Sequence, residues 1–136
     1  MKTFAIVAAL SAASAIATAH ELKVEVLNAR SNNGYVAAAV YGDGEAWLQD
    51  GRAVQVARVA AADKAVLVFS NLPAGRYAVS VFHDENGNGK LDKNVMGIPT
   101  ERYGFSRDAR GTMGPPSFAD AAVDVGSDAA IAVHLQ

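Results

Sequence analysis

"RYAVSVFHDENGNGKLD", Arg76 to Asp92, sets two patterns back to back. In the first half Tyr77, Val79 and Val81 alternate with Ala78, Ser80 and Phe82, which is the period-two signature of a β-strand. In the second half oxygen-bearing side chains recur at every other place: Asp84, Asn86 and Asn88, with Gly89 next and Asp92 beyond. A strand therefore feeds straight into a polar loop, with no amphipathic helix on either side. That junction points to an all-β chain.

The rest of the chain agrees. Leu22, Val24 and Val26 alternate with Lys23 and Glu25 in the run Glu21–Ala29. Tyr35–Gly42 is apolar on both faces, which suits a central strand. Ala53–Ala61, Ala65–Leu72, Ala121–Gly126 and Ala130–Gln136 complete a set of seven short runs, with Gly, Asn and Asp between them. This rhythm predicts an antiparallel β-sandwich, and the lack of long amphipathic helices argues against a parallel βαβ fold. A helical turn is expected around Ala46 to Leu48. One stretch breaks the rhythm. Asn86 to Asp120 hardly alternates and carries many Gly and Pro residues, yet it also holds Tyr103, Phe105 and Phe118. A long loop that carries aromatics is expected to be ordered by something other than a strand ladder.

The chain has 136 residues, enough for one domain. Its start is a special segment. Lys2 precedes an apolar run from Phe4 to Ile16, and Ala17-Thr18-Ala19 has the A-x-A form of a signal-peptidase site. The run is shorter than the roughly 20 residues of a membrane span. Residues 1–19 are thus expected to be a signal peptide and 20–136 a single β-sandwich domain of a periplasmic or secreted protein. Without Lys2 the formal charge is 11 − 14 = −3. That mild acidity argues against nucleic-acid binding. No Lys/Arg run marks an anionic membrane surface, and no second apolar run is long enough to span a bilayer. There is no cysteine, so disulfides and thiolate metal sites are excluded. An ion would supply the staple that a domain of about 117 residues lacks.

Asp84-x-Asn86-x-Asn88-Gly89 matches the first half of a calcium loop. A tight loop around a hard cation turns every second side-chain oxygen inward. The sixth place needs Gly for the sharp turn, the seventh offers a carbonyl (Lys90), and the ninth (Asp92) binds directly or through water. The twelfth place, where an EF-hand has its bidentate Glu, is Val95. The missing carboxylate must come from elsewhere. Glu101 is the first candidate, with Glu85 and Asp120 behind it. The expected metal set is Asp84, Asn86, Asn88, Lys90, Asp92 and Glu101, holding calcium weakly. The competing reading is a plain polar turn, since Asn-Gly is a strong hairpin signal and "NGNG" contains it twice.

These residues carry a family resemblance. "LPAGRYAVSVFHDENGNGKLD", "GIPTERYGFS" and "PPSF" occur in the order and spacing of the DUF2141 family of exported bacterial proteins, densely over Asn71–Val123 and loosely before it. The chain resembles that family, whose function is itself unknown. Leu72–Val81 also resembles a strand of transthyretin-like and carboxypeptidase-regulatory-like modules. That resemblance implies a seven-stranded antiparallel Greek-key sandwich of prealbumin type, with a long ordered loop.

Other residues bear on other chemistry. His20, as a mature N-terminus, would offer an amine and an imidazole to copper if His83 or His134 came near. Ser80, Ser106 and Ser117 lack a G-x-S-x-G elbow. Glu85 and Glu101 more simply serve a cation than form a glycosidase pair. No enzymatic activity is expected. Trp47, Tyr77, Tyr103 and Phe105 could form a platform for a glycan or peptide, while Phe105 and Phe118, beside Pro115 and Pro116, are expected to pack inward. The expected role is binding or structural, toward a protein or glycan ligand the sequence does not name.

Overall fold

A computed structural model of the chain describes residues 18–136. The expected signal peptide lies outside these residues except for Thr18 and Ala19. The strands are β1 (Ala19–Leu27), β2 (Tyr35–Tyr41), β3 (Gln55–Ala60), β4 (Lys64–Pro73), β5 (Gly75–Asp84), β6 (Tyr103–Phe105), β7 (Val123–Val125) and β8 (Ala129–His134). The one α-helical segment among the described residues is α1 (Phe118–Ala121). None of their helices is long and apolar enough to cross a membrane.

The strands form two facing sheets, β4-β1-β8 and β3-β2-β5-β6, with β7 pairing to the start of β5. Alternation explains the stacking. Leu22, Val24 and Val26 of β1 face Val36, Ala38 and Val40 of β2 and Tyr77, Val79 and Val81 of β5 across one core, closed by Leu67, Phe69, Leu72 and Val133. The Tyr77 hydroxyl donates to the Pro73 carbonyl and braces the β4–β5 corner. β2 is central, as its two apolar faces predict, flanked by β3 and β5.

Two expectations about the sheets need correction. The sandwich is not purely antiparallel, because β1 and β8 run parallel, Leu22 beside Ala129 through Leu27 beside His134. Side-chain alternation is the same in either direction, so it carries no signal for this. The strands among the described residues also number eight, not seven, because β6 lies inside the expected loop. β6 is three residues with Gly at its centre. A Cβ at Gly104 would crowd the His134 carbonyl and the Val133 side chain, each 2.9 Å away. The residue that lets β6 fit is also the one that hides its alternation.

The outer face of the β2–β5 sheet carries a second, smaller core. Trp47 is 8% exposed. It packs edge-on against Tyr41 at 5.2 Å between ring centres and contacts Phe105 and Phe118. Its Nε1 donates to the Pro116 carbonyl over 2.9 Å. The expected turn at Ala46–Leu48 is present, closed by Gln49 N–H donating to the Ala46 carbonyl. Buried Ser106 accepts from Val79 N–H at 2.8 Å and donates to the Ala121 carbonyl, tying β5 to α1. Ser117 caps α1 by accepting from Asp120 N–H. The second half of the long segment is thus held by aromatic packing and side-chain hydrogen bonds, as its composition predicts.

Burial pushes the Tyr41 phenol above its ordinary value, with Asp50 adding to the rise and a hydrogen bond with Ser80 opposing it. The fold favours the neutral phenol. The associated stability is complete below the unfolded value of about 10 and is lost as pH rises beyond it. Urea unfolding at about pH 9 and pH 11 is expected to show lower stability at the higher pH, with a smaller drop in Tyr41→Phe.

Candidate metal centre

Hydrogen-bonding register assembles this site. β5 and β6 pair antiparallel, Ser80 with Phe105, Val81 with Gly104 and Phe82 with Tyr103. His83 N–H then donates to the Arg102 carbonyl over 2.8 Å. Continued one step, that register sets Glu101 opposite Asp84. Residues 85–100 are therefore the excursion of a wide hairpin, and its two ends bring the two carboxylates together.

Both are buried: Asp84 is 2% exposed and Glu101 7%. Asp84 Oδ1 accepts from Asn88 N–H at 3.1 Å and Oδ2 from Gly89 N–H at 2.8 Å. Glu101 Oε2 accepts from Glu85 N–H at 2.8 Å and Oε1 from Asp92 N–H at 2.9 Å. One carboxylate thus gathers the inside of the loop and the other clamps its two ends. Gly87 and Gly89 take φ of +68° and +78°, the left-handed turns the Asn-Gly pairs predict. Asn86 Nδ2 and Asn88 Nδ2 donate to the two Asp92 oxygens at 2.6 and 2.7 Å. Lys90 N–H donates to Asn88 Oδ1 at 3.0 Å, and its side chain is exposed.

Of the six expected ligands, the structure brings Asp84, Asn86, Asn88, Lys90 and Asp92 into one turn and carries Glu101 to its rim. Val95 points to open solvent. Glu85 pairs with Arg30 at 3.3 Å. Asp120 lies on α1, whose Ala121 packs with Ala78, about 20 Å back along β5 from Asp84. Neither of these two joins the site.

The donor chemistry fits a hard cation in one respect and must change in another. Asp84 and Glu101 are buried carboxylates, and neither forms an ion pair among the described residues. Buried charge of that kind calls for a compensating charge. On the other hand, no group of three or more His, Asp or Glu side chains among the described residues is arranged to hold a metal unaided. The Asn86 and Asn88 amides point their nitrogens at Asp92. To ligate an ion they must turn their oxygens inward and release Asp92. An amide flip of this kind leaves the backbone in place.

The histidines serve parts of the fold outside the loop. His83 is fully buried and orders the β1–β2 turn, not the polar loop. Its Nδ1 accepts from Arg30 N–H at 3.2 Å and its Nε2 lies 2.7 Å from the Asn33 carbonyl. His134 is exposed and pairs with Asp108 at 2.8 Å. It lies beside Leu27, about 23 Å along β1 from His20. Neither histidine reaches His20 to complete a copper site. Of the four platform aromatics, Trp47 and Tyr77 are buried and Phe105 is half-buried in the second core, which leaves Tyr103 exposed.

One contact had no signal in the alternation. Gly34, with φ +68°, packs flush against the Asp84 and Glu85 carbonyls, so the β1–β2 turn forms the back wall of the site. Gly34 closes the run Ser31-Asn32-Asn33-Gly34, and glycine suits that φ, but nothing in the run announces the contact.

Among known proteins, a family model described as an uncharacterized protein conserved in bacteria (DUF2141) matches residues 24–132. No curated protein and no solved structure matches the chain.

Proposed function

The chain belongs to the DUF2141 family, and on that premise we propose that it is an exported β-sandwich whose long β5–β6 excursion is organised by a weakly bound calcium ion. Its role is binding or structural rather than catalytic. The observation that carries this reading is the pair of buried carboxylates, Asp84 and Glu101, at the two ends of the hairpin excursion, with no ion pair to either among the described residues. Asp84, Asn86, Asn88, Asp92 and the Lys90 carbonyl would hold the ion, with Glu101 at the rim. Calcium suits the mixed carboxylate, amide and carbonyl set better than magnesium, which requires a stiff octahedral shell. The reading includes cleavage after Ala19 and a periplasmic or secreted location. The strand orders β4-β1-β8 and β3-β2-β5-β6 support a transthyretin-like Greek key as part of it.

Calorimetric titration tests the site. The wild-type chain is expected to bind one calcium ion with Kd of about 10⁻⁴–10⁻³ M. Asp84→Ala should remove the heat, and Asp124→Ala, at a surface carboxylate, should leave it unchanged. Equal heats for Asp84→Ala and wild type would refute the assignment.

A further inference from the structure

Asn-Gly occurs three times in the chain, as Asn33-Gly34, Asn86-Gly87 and Asn88-Gly89. The pair has a chemistry of its own. A glycine nitrogen, with no Cβ beside it to obstruct the approach, can attack the side-chain amide carbon of the residue before it. The attack requires the glycine N–H to give up its proton, and the charge then spreads onto the carbonyl oxygen of the same peptide bond. A fixed donor on that oxygen favours the attack. An acceptor on the N–H opposes it, most of all a carboxylate, which disfavours a second negative charge beside it.

The fold treats the three pairs differently. In the polar loop Gly87 N–H donates to the Asp84 carbonyl at 3.3 Å and Gly89 N–H to the Asp84 carboxylate at 2.8 Å. Both ends of each side-chain amide are held as well. Asn86 and Asn88 donate to Asp92, and their oxygens accept from Asn88 N–H and Lys90 N–H. Asn33-Gly34 is the reverse. Asn33 is exposed, and among the described residues its side-chain amide has no hydrogen-bond partner and the Gly34 N–H has no acceptor. The Asn33 carbonyl faces the fully buried His83, whose Nε2 is 2.7 Å away. Arg30 N–H donates to Nδ1 of that ring, so the neutral imidazole carries its proton on Nε2 and donates it to the Asn33 carbonyl. A fixed donor thus sits on the oxygen that gathers charge when the Gly34 nitrogen loses its proton.

We infer that Asn33-Gly34 is a self-modification site, at which His83 promotes the conversion of Asn33 to aspartate and isoaspartate. A solvent base takes the Gly34 N–H proton and the nitrogen bonds to Asn33 Cγ. The Cγ–Nδ2 bond breaks, and the nitrogen leaves as ammonia with a proton from solvent. Water then opens the five-membered succinimide at one of its two ring C–N bonds. One water is consumed and one ammonia released, and nothing is oxidised or reduced. The aspartate product adds a negative charge to the β1–β2 turn. The isoaspartate product also lengthens the main chain by a carbon where Gly34 packs against the Asp84 and Glu85 carbonyls, so the modified turn presses on the end of β5.

The test incubates the full chain at mildly alkaline pH, folded in buffer and unfolded in guanidinium chloride, and follows each Asn-Gly pair by peptide mapping with mass spectrometry. The unfolded chain supplies the reference rates, because only sequence neighbours act there. The fold is expected to raise the Asn33 rate about tenfold above its unfolded value, and to hold Asn86 and Asn88 below theirs. His83→Phe removes the donor, so the folded variant should lose the gain at Asn33 while its unfolded rate stays that of wild type. A wild-type Asn33 that converts no faster folded than unfolded would overturn the inference. A folded His83→Phe that keeps the gain would overturn it too. Should His83→Phe fail to fold, the two wild-type rates at Asn33 decide alone.

Discussion

Gly34→Ala is expected to destabilise the protein by about 3 kcal/mol or more, lowering the melting temperature by on the order of 10 °C. Two costs combine. Gly34 sits at φ +68°, where an L-residue pays roughly 1–2 kcal/mol. The added Cβ would also run into the carbonyl oxygens of Asp84 and Glu85. These are backbone atoms, so relief requires either the turn or the end of β5 to move. Movement of β5 would shift Asp84, so calcium affinity should fall together with stability. Gly51→Ala separates the two costs: Gly51 has φ +74° but open space around it, so it should lose only about 1–2 kcal/mol. Equal melting points for the two variants would show that the turn does not press on the site.

Glu101→Ala is the second large effect, expected at about 3–6 kcal/mol in calcium, since two hydrogen bonds to a charged acceptor are lost at about 1.5–3 kcal/mol each. The Glu85 and Asp92 N–H groups lose their acceptor, and the hairpin excursion is freed at both ends. Glu101→Gln should fall between, because its amide oxygen can accept from one N–H while its nitrogen faces the other. Asp124, with a side chain 89% exposed, is the control and should cost little when changed to Ala. Chemical unfolding in calcium and in EGTA reads all three. The difference between the two conditions should shrink in Glu101→Ala. A Glu101→Ala variant as stable as Asp124→Ala would remove Glu101 from the account.

What was legible in the sequence followed from local chemistry. Seven strands showed in their alternation, and the left-handed turns at Gly87 and Gly89 showed in the Asn-Gly pairs. The even spacing of Asp84, Asn86 and Asn88 placed the loop. Glu101 was reachable as the nearest carboxylate past the loop, but the reason it arrives, the register of β6, was hidden by the shortness of that strand and by Gly104. The parallel pairing of β1 with β8 leaves no trace in a period-two pattern. Trp47 looked available for a ligand because nothing around it in sequence announces Phe105, Phe118 and Pro116 as its neighbours. His83 illustrates the same limit. It directly precedes Asp84 in sequence, yet alternation turns the two side chains to opposite faces of β5, one toward the core and one toward the loop.

The central claim is that the Asp84–Glu101 loop binds calcium and that this binding stabilises the fold. Its most direct test is the melting temperature of the wild-type chain in about 10 mM calcium against excess chelator. With Kd near 10⁻⁴ M, binding should add about 2.7 kcal/mol and raise the melting temperature by several degrees. The Asp84→Ala variant should show no such rise. A wild-type melting temperature that is identical in calcium and in chelator would contradict the account.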